Sequence, residues 1–154
     1  MTSGRWLAIT IIVITAVFGA FLWYFQTRAY YEPVALSALP VTLADGTVIP
    51  LDVTDFHGID AETSPLRFRA CFSVAPESAA RVLAGGRPAE DAAPLIAPGW
   101  FDCYDAFALG ADIETGAAQA IRATPEIARG VDRIIALYPD GRGFAWHQLN
   151  GTLE

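Results

Sequence analysis

An unbroken apolar run near the N-terminus constrains this 154-residue chain more than any other feature. Trp6–Phe25 contains twenty residues without a charge, and eleven of them are Leu, Ile, Val or Phe. A helix of that length rises about 30 Å, which is the thickness of the hydrocarbon core of a bilayer. Inserting those eleven side chains into lipid contributes about −3 to −7 kcal/mol. The run therefore predicts one membrane-spanning helix.

Aromatic residues at both ends of the run favour a retained anchor. Trp6 lies at one end and Trp23-Tyr24 at the other, as in the aromatic belts of membrane interfaces. A cleaved signal peptide is the alternative, because Val17-Phe18-Gly19 resembles a small-residue cleavage motif. The apolar run continues past Phe18 to Phe25, so a cleaved product would begin with bulky apolar residues. We therefore expect the anchor to stay attached.

The charges on either side of the run predict the orientation of the chain. Arg5 and the α-amino group lie before it and Arg28 lies after it, so the N-terminal side carries one more positive charge. From residue 29 onward, eight arginines are outnumbered by seventeen acids, which excludes nucleic acid as a partner because phosphate would be repelled. We expect a single-pass membrane protein, with a cytoplasmic tail and anchor over residues 1–28. Residues 29–154 would form an exported domain.

The two cysteines, Cys71 and Cys103, predict a disulfide if the domain is exported. The bridge would close a loop of about 33 residues and stabilise the fold by about 4 kcal/mol in the chain-entropy model. Two buried free thiols are the alternative, which a cytoplasmic location would favour. The absence of C-x-x-C and C-x-x-C-H disfavours a thioredoxin-like centre and covalent haem.

Turn residues between apolar runs predict two β-hairpins. Asp45-Gly46 separates two runs rich in β-branched residues, and Pro50 places the second of those strands at a sheet edge. Pro139–Arg142, with the sequence Pro-Asp-Gly-Arg, separates strands over residues 131–138 and 143–149. The second hairpin is the clearest element in the chain.

The remaining segments predict one further strand and short helices. Leu66–Phe72 alternates with period two and indicates a half-buried strand, and His57–Pro65 before it indicates a polar connection. Pro76–Leu83 and Asp112–Arg122 are typical of helices, and the aromatic segment Trp100–Phe107 is expected to enter the core. The sequence thus predicts an α+β domain of antiparallel hairpins with two or three short helices, after one transmembrane helix.

Three segments of the chain resemble an uncharacterised family of short membrane-anchored proteins from alphaproteobacteria. They are DRIIALYPDGRGFAWHQLNG, and upstream of it RFRACF and WFDCYDAF. The most specific part is PDGRGFAWHQ, Pro139–Gln148, and the likeness extends over nearly the whole chain. The resemblance implies an anchor and a bacterial setting, so we expect the helix to span the inner membrane and residues 29–154 to form a periplasmic domain. It implies no functional residue.

Five residues are candidates for chemistry or binding, each with a structural alternative. His57 and His147, with a nearby acid, are residue types that bind a metal or transfer protons. Arg67 and Arg69 are expected to share a strand face, where arginines receive a carboxylate or phosphate, or pair with surface acids. Asp105 is a candidate acid beside Cys103. The alternative for His147 is a strand residue bonded to backbone, and we expect neither a cofactor nor a metal.

Two functions from different classes follow from these features. The first is a non-enzymatic interaction module, an accessory or assembly subunit of an inner-membrane complex such as a respiratory one. Its partners would be the lipid bilayer and an integral membrane protein or complex. The second is a small periplasmic enzyme or a ligand- or metal-binding domain, which requires His57, His147 and the acids around Cys103 to converge. The first is the hypothesis that we favour.

Overall fold

The computed structural model describes residues 3–153, and the chain separates into two compact units between Tyr31 and Glu32. The predicted α+β class is confirmed, because an N-terminal apolar helix precedes antiparallel sheets and short helices. In chain order the elements are α1 (Ser3–Thr27), β1 (Glu32–Val34), β2 (Ala38–Thr42), β3 (Val48–Asp52), β4 (Thr54–Asp60), β5 (Arg69–Ser73), α2 (Pro76–Gly85), α3 (Ala106–Thr115), β6 (Gln119–Ala128), β7 (Val131–Leu137) and β8 (Arg142–Leu149).

The N-terminal helix α1 exposes apolar side chains all around its surface. It has 25 residues, of which none is buried, and the exposed side chains include Trp6, Phe18, Trp23 and Tyr24. Its length and composition are sufficient to cross a membrane, and an N-terminal signal sequence meets the same two criteria. The predicted boundary after Arg28 lies in the turn that follows α1.

The folded unit is built on a six-stranded sheet in the order β1-β4-β5-β8-β7-β6, in which every neighbouring pair is antiparallel. Strands β2 and β3 form a separate two-stranded sheet, in which Pro40 lies opposite Pro50. A proline cannot donate a ladder hydrogen bond, and in a two-stranded sheet each strand has an open edge that tolerates this. The last strand in sequence, β8, lies inside the main sheet between β5 and β7.

The main sheet is covered on both faces. On the hairpin face, the β2–β3 pair and α2 pack over Phe68, Phe72, Ile135 and Leu137. On the α3 face, helix α3 and the irregular segment 87–105 pack over Cys71, Ile134, Ala136 and Trp146. Trp146 is fully buried, since its relative exposure is 0%. Strands β5, β7 and β8 contribute apolar side chains to both cores.

Both predicted hairpins are present. The first turn is closed by the Thr47 backbone N–H, which donates to Asp45 Oδ1 at 2.8 Å, with Gly46 at φ 87°. In the second, Gly141 adopts φ 90° between β7 and β8, and its backbone N–H donates to the Tyr138 carbonyl at 3.0 Å. A positive φ is accessible to glycine at no steric cost, so these two turn signals were sufficient to predict the hairpins.

The predicted helix over Asp112–Arg122 is wrong in its second half. Helix α3 begins earlier, at Ala106, and ends at Thr115, because Gly116 adopts a left-handed conformation with φ 80° that terminates it. Strand β6 then begins at Gln119, and its residues alternate between the two cores. The alanine-rich sequence fits either period, so periodicity alone did not separate helix from strand.

The predicted polar connection over His57–Pro65 is wrong for its first four residues, because strand β4 extends through Asp60, whereas residues 61–65 do form a connection. Gly58 is buried where it pairs with Val34 of the antiparallel neighbour β1, and a Cβ there would meet the Phe56 ring and the Val34 carbonyl. The strand predicted over Leu66–Phe72 is present in part as β5, which begins three residues later at Arg69 and is buried on both faces rather than half-buried. Arg69 lies on the second buried face, and its charge made that face look exposed in the sequence.

Candidate functional site

Cys71 and Cys103 form the predicted disulfide, with their Cα atoms 6.3 Å apart. Cys71 is buried on β5, whereas Cys103 is exposed in the segment that precedes α3. The bridge therefore fastens the irregular segment 87–105 to the central sheet. Its role in the fold is to hold a covering layer that has little regular structure of its own.

Arg69 fastens the same segment and is not a surface receptor for anions. It is only 5% exposed, and its guanidinium donates to the backbone carbonyls of Leu66, Phe68, Leu95 and Ile96 at 2.6–3.2 Å. The five N–H donors of a guanidinium suit such a cluster of carbonyls. Arg67 precedes β5 in a half-buried position, so the two arginines do not form a paired binding face on one strand.

Gln148 is a third attachment point for segment 87–105, and the sequence did not indicate it. Its Oε1 accepts from the Trp146 indole N–H at 3.1 Å and from the Ala93 backbone N–H at 2.9 Å. Its Nε2 donates to the Asp91 carbonyl at 3.1 Å. A buried amide with these bonds is structurally satisfied, so Gln148 belongs to the framework.

The most buried carboxylate of the domain is also satisfied internally. Asp132 is 2% exposed, and its Oδ2 lies 2.7 Å from Arg122 Nη1. Its Oδ1 accepts from the Glu126 backbone N–H and from Asn150 Nδ2, each at 2.8 Å. Arg122 also reaches Asp91 at 2.8 Å. Asp132 and Asp91 therefore belong to a network of hydrogen bonds and ion pairs that stabilises the fold.

Asp105 caps helix α3. Its Oδ1 accepts from the backbone N–H groups of Phe107 at 2.9 Å and Ala108 at 3.1 Å. These are donors that the first turn of a helix leaves without intrahelical partners, and aspartate is a preferred residue for that task. The N-cap role accounts for the carboxylate that the sequence suggested as a candidate acid.

His147 is held as a neutral imidazole between two hydrogen bonds. It is 4% exposed, its Nδ1 lies 2.6 Å from the Pro65 carbonyl, and Arg133 Nε donates to its Nε2 at 3.1 Å. A carbonyl can only accept and a guanidinium can only donate, which assigns the proton to Nδ1. Burial, with Arg133 and Arg69 nearby, lowers the pKa of His147 to about 4.

A depression of about 650 Å³ opens beside this histidine, and we call it the His147 basin. Its charged lining includes Glu32, Asp60 and Arg133. The Arg133 guanidinium carbon lies 4.3 Å above the centre of the Phe68 ring. Burial raises the pKa of Asp60 and lowers the pKa of Arg133, so both charges are partly removed from water. The basin therefore brings opposite charges into one concave surface.

A second surface, which we call the α3 patch, consists of Ile96, Phe101, Tyr104 and Phe107. The Phe107 side chain is 77% exposed and Ile96 is 68% exposed. Phe107 lies between a groove of about 280 Å³ beside Tyr104 and one of about 720 Å³ against residues 89–94. The aromatic segment thus only partly enters the core, because Tyr104 is buried and Phe107 points away.

Tyr104 adds an unsatisfied polar group to the α3 patch. Its hydroxyl is buried and has no hydrogen-bond partner within residues 3–153. Burial raises the pKa of the Tyr104 phenol well above its ordinary value. A buried hydroxyl without a partner costs free energy that a bound acceptor would recover.

Comparison with known proteins identifies the family. A model described as "Family of unknown function (DUF6446)" matches residues 39–154. The chain belongs to DUF6446. No curated protein and no solved structure matches it. The DUF6446 match begins in β2 and includes both cysteines and the second hairpin, so it supports the resemblance to an uncharacterised family.

Within the DUF6446 region, the residues required for the enzyme hypothesis lie on both faces of the sheet, because His57 pairs with Cys71 on the α3 face and His147 lies on the hairpin face. His57 is exposed on β4 and lines a different depression, with Trp100 and Phe101, whereas His147 lines the basin. Asp105 lies beside the α3 patch. Among residues 3–153, no group of three or more His, Cys, Asp or Glu side chains is arranged to hold a metal ion.

Asp60 and Arg133 were not identified as site residues from the sequence, and only Arg133 has a sequence feature that could have indicated its role. Arg133 interrupts the otherwise apolar strand Val131–Leu137, together with Asp132. A charged residue inside an apolar strand indicates a buried polar interaction, which is what Arg133 makes with His147. Asp60 follows Ile59 in a segment predicted to be a connection, so nothing marked it.

Proposed function

We propose that this protein is a membrane-anchored interaction module whose folded head docks through the α3 patch on an integral membrane protein or complex. The observation that carries this proposal is Phe107, a phenylalanine that is 77% exposed on a capped helix between two grooves. Aromatic side chains that fill a partner's pocket commonly dominate binding energy, and exposed apolar patches mark interaction sites. The protein would act as an accessory or assembly subunit of a respiratory or other envelope complex.

The location forms part of the proposal. Helix α1 would span the inner membrane of an alphaproteobacterium, with residues 1–28 as tail and anchor and the N-terminus in the cytoplasm. Residues 29–154 would then lie in the periplasm. The PDGRGFAWHQ stretch would be a motif shared by the alphaproteobacterial members of the family. The 25-residue apolar helix and the disulfide support this arrangement, because a bridge of this kind persists in oxidising compartments.

Rigid support beneath the patch favours docking over flexible exposure. Three kinds of bond fasten segment 87–105, which contributes Ile96 and Phe101: the disulfide, the Arg69 hydrogen bonds and the Gln148 hydrogen bonds. Side chains presented on a fixed frame lose less conformational entropy on binding. A preorganised aromatic patch is therefore better suited to a stable complex than a mobile loop would be.

Affinity purification tests the proposal. The tagged full-length protein is purified from its native membranes in mild detergent, and co-purifying proteins are quantified by mass spectrometry. We expect an integral membrane protein or complex to be enriched, and Phe107→Ser to reduce that enrichment at least fivefold.

Val48→Ser is the matched control, because Val48 is 61% exposed at the β2–β3 turn, away from the patch. It should leave the recovery of the partner unchanged. Equal losses with both variants, or the absence of any enriched membrane protein, would contradict docking through the α3 patch.

A further inference from the structure

Glu32, Asp60 and Arg133, three of the charged residues that line the His147 basin, lie with His147 in one row across the sheet. Glu32 is paired with Asp60 in the β1–β4 register, and Arg133 is paired with His147 in the β7–β8 register. Continuing the β4–β5 and β5–β8 registers by one residue places Phe68 between Asp60 and His147. Directly paired residues point to the same face of a sheet, so the whole row faces the basin.

One end of this row carries two carboxylates, and the charges of Arg133 and Arg69 act on Asp60 without a direct ion pair. Glu32 and Asp60 are direct cross-strand partners, and like charges in that arrangement are destabilising. Among residues 3–153, neither carboxylate has a cationic nitrogen within 4.0 Å. Glu62 lines the same depression. This end of the basin is therefore suited to a bound ammonium group.

Arg133, on the strand at the other end of the row, extends its guanidinium back over the middle of the row, where its position is fixed. Arg133 is held through Nε by His147, which is itself held by the Pro65 carbonyl, and it lies over the Phe68 ring. Its Nε is occupied, which leaves the two terminal nitrogens as the part of the fork that can bind an oxyanion. Carboxylates and phosphates accept from such nitrogens in a bidentate arrangement.

We propose that the His147 basin binds a small zwitterion that carries an ammonium group and an oxyanion a few atoms apart. The oxyanion contacts Arg133, and the ammonium contacts Asp60 and Glu32. Two sources share this chemistry: a free amino acid, and the phosphoethanolamine headgroup of a lipid. The basin lies on the hairpin face and the α3 patch on the opposite face, so this site is independent of the proposed docking surface.

Isothermal titration calorimetry on the full-length protein in detergent tests the proposal. The probes are L-alanine and O-phosphoethanolamine as zwitterions, with acetate, inorganic phosphate and ethylammonium as half-probes. We expect saturable binding of at least one zwitterion, with every half-probe at least tenfold weaker. Arg133→Gln and Asp60→Asn should each weaken zwitterion binding at least tenfold.

Two further sets of variants keep the test decisive. Arg142→Gln and Asp140→Asn are matched controls, because these residues form an exposed ion pair in the β7–β8 turn, and neither should change the affinity. Glu32→Gln alters an exposed residue on an edge strand, so it tests the ammonium contact even if Arg133→Gln or Asp60→Asn fails to fold. We expect it to weaken binding at least threefold.

The arms of the experiment also distinguish the two sources. Binding of L-alanine supports a free amino acid. Binding of O-phosphoethanolamine alone, with retention of phosphatidylethanolamine over phosphatidylcholine in mixed vesicles, supports a lipid headgroup. A half-probe that binds as tightly as its zwitterion, or no saturable binding of either zwitterion, would overturn the proposal. Neither result would bear on docking through the α3 patch.

Discussion

His147 shows how hydrogen-bond partners determine the charge of one residue. The guanidinium that donates to Nε2 requires a lone pair there, so protonation of that nitrogen would break the contact with Arg133. Burial acts in the same direction, because it penalises the charged imidazolium. The residue is therefore a fixed acceptor that orients Arg133, and general acid–base chemistry at neutral pH would require breaking that bond.

The depressed pKa of His147 predicts a loss of stability in mild acid. In the folded state the pKa is about 4, and an unfolded histidine has a pKa of about 6.5. The unfolded chain therefore binds more protons between these values, and the stabilising contribution of His147 is lost as the pH falls through them. Since one pKa unit corresponds to about 1.4 kcal/mol, the loss amounts to about 3 kcal/mol.

Denaturant unfolding of the wild type and of His147→Asn at pH 7 and pH 4 measures this contribution. The asparagine amide retains a donor for the Pro65 carbonyl but does not titrate, so the variant should lose about 3 kcal/mol less than the wild type between the two pH values. His57→Asn assigns the remaining imidazole signal in a proton NMR titration. A pKa near 6.5 for His147 in that titration would refute the prediction.

At the scale of elements, the β7–β8 turn depends on a glycine for two separate reasons. Gly141 has φ 90°, and a Cβ there would also collide with the carbonyl oxygen of Val74. Gly46, in the other hairpin, has the similar φ of 87°, but a Cβ at that position would meet no atom of residues 3–153 within 4 Å. The two glycines therefore separate backbone strain from steric overlap.

We expect Gly46→Ala to destabilise the fold by about 1–2 kcal/mol, which is the cost of a left-handed conformation for a residue with a Cβ. Gly141→Ala should cost about 1–3 kcal/mol more, because the β8 end must shift away from Val74. Denaturant unfolding of both variants, in parallel with the wild type, measures the difference. Equal losses would show that the Val74 contact is relieved at no cost.

Elements that are determined by interactions between neighbouring residues were predicted correctly, whereas elements that depend on distant contacts were not. The turns at Asp45-Gly46 and Pro139–Arg142 are determined by residues within four positions, so the sequence was sufficient to predict them. Strand β4 and the start of β6 depend on packing of distant segments, such as β1 against Gly58, which no local pattern contains. The predicted start of helix α3 was wrong because Asp105 caps the helix well before Asp112.

At the scale of the whole molecule, the disulfide couples an irregular cover to a regular sheet. Replacing both cysteines with alanine in Cys71→Ala/Cys103→Ala should lower the free energy of unfolding by about 4 kcal/mol, since the bridge spans 32 positions. Denaturant unfolding of oxidised and reduced wild type should show the same difference.

Alkylation tests the bridge directly. In protein isolated without reductant, neither cysteine should react with an alkylating agent after denaturation. Two reactive thiols would argue against both the bridge and export.

The sequence predicted the class and the pairing of the cysteines but not the arrangement of charges. An even cysteine count and an apolar run are visible in the chain itself. The row that joins Glu32, Asp60, His147 and Arg133 arises only when five strands align in register. Those residues come from distant regions of the chain, so their proximity has no counterpart in any local motif.

The position of β8 has a consequence for biogenesis. Because the final strand of the described chain fills a gap between β5 and β7, the main sheet stays divided until residues 142–149 have arrived. Until then, β5 and β7 each present an unpaired edge that can associate with other chains. The two halves of the sheet can therefore join only after translation has passed residue 149.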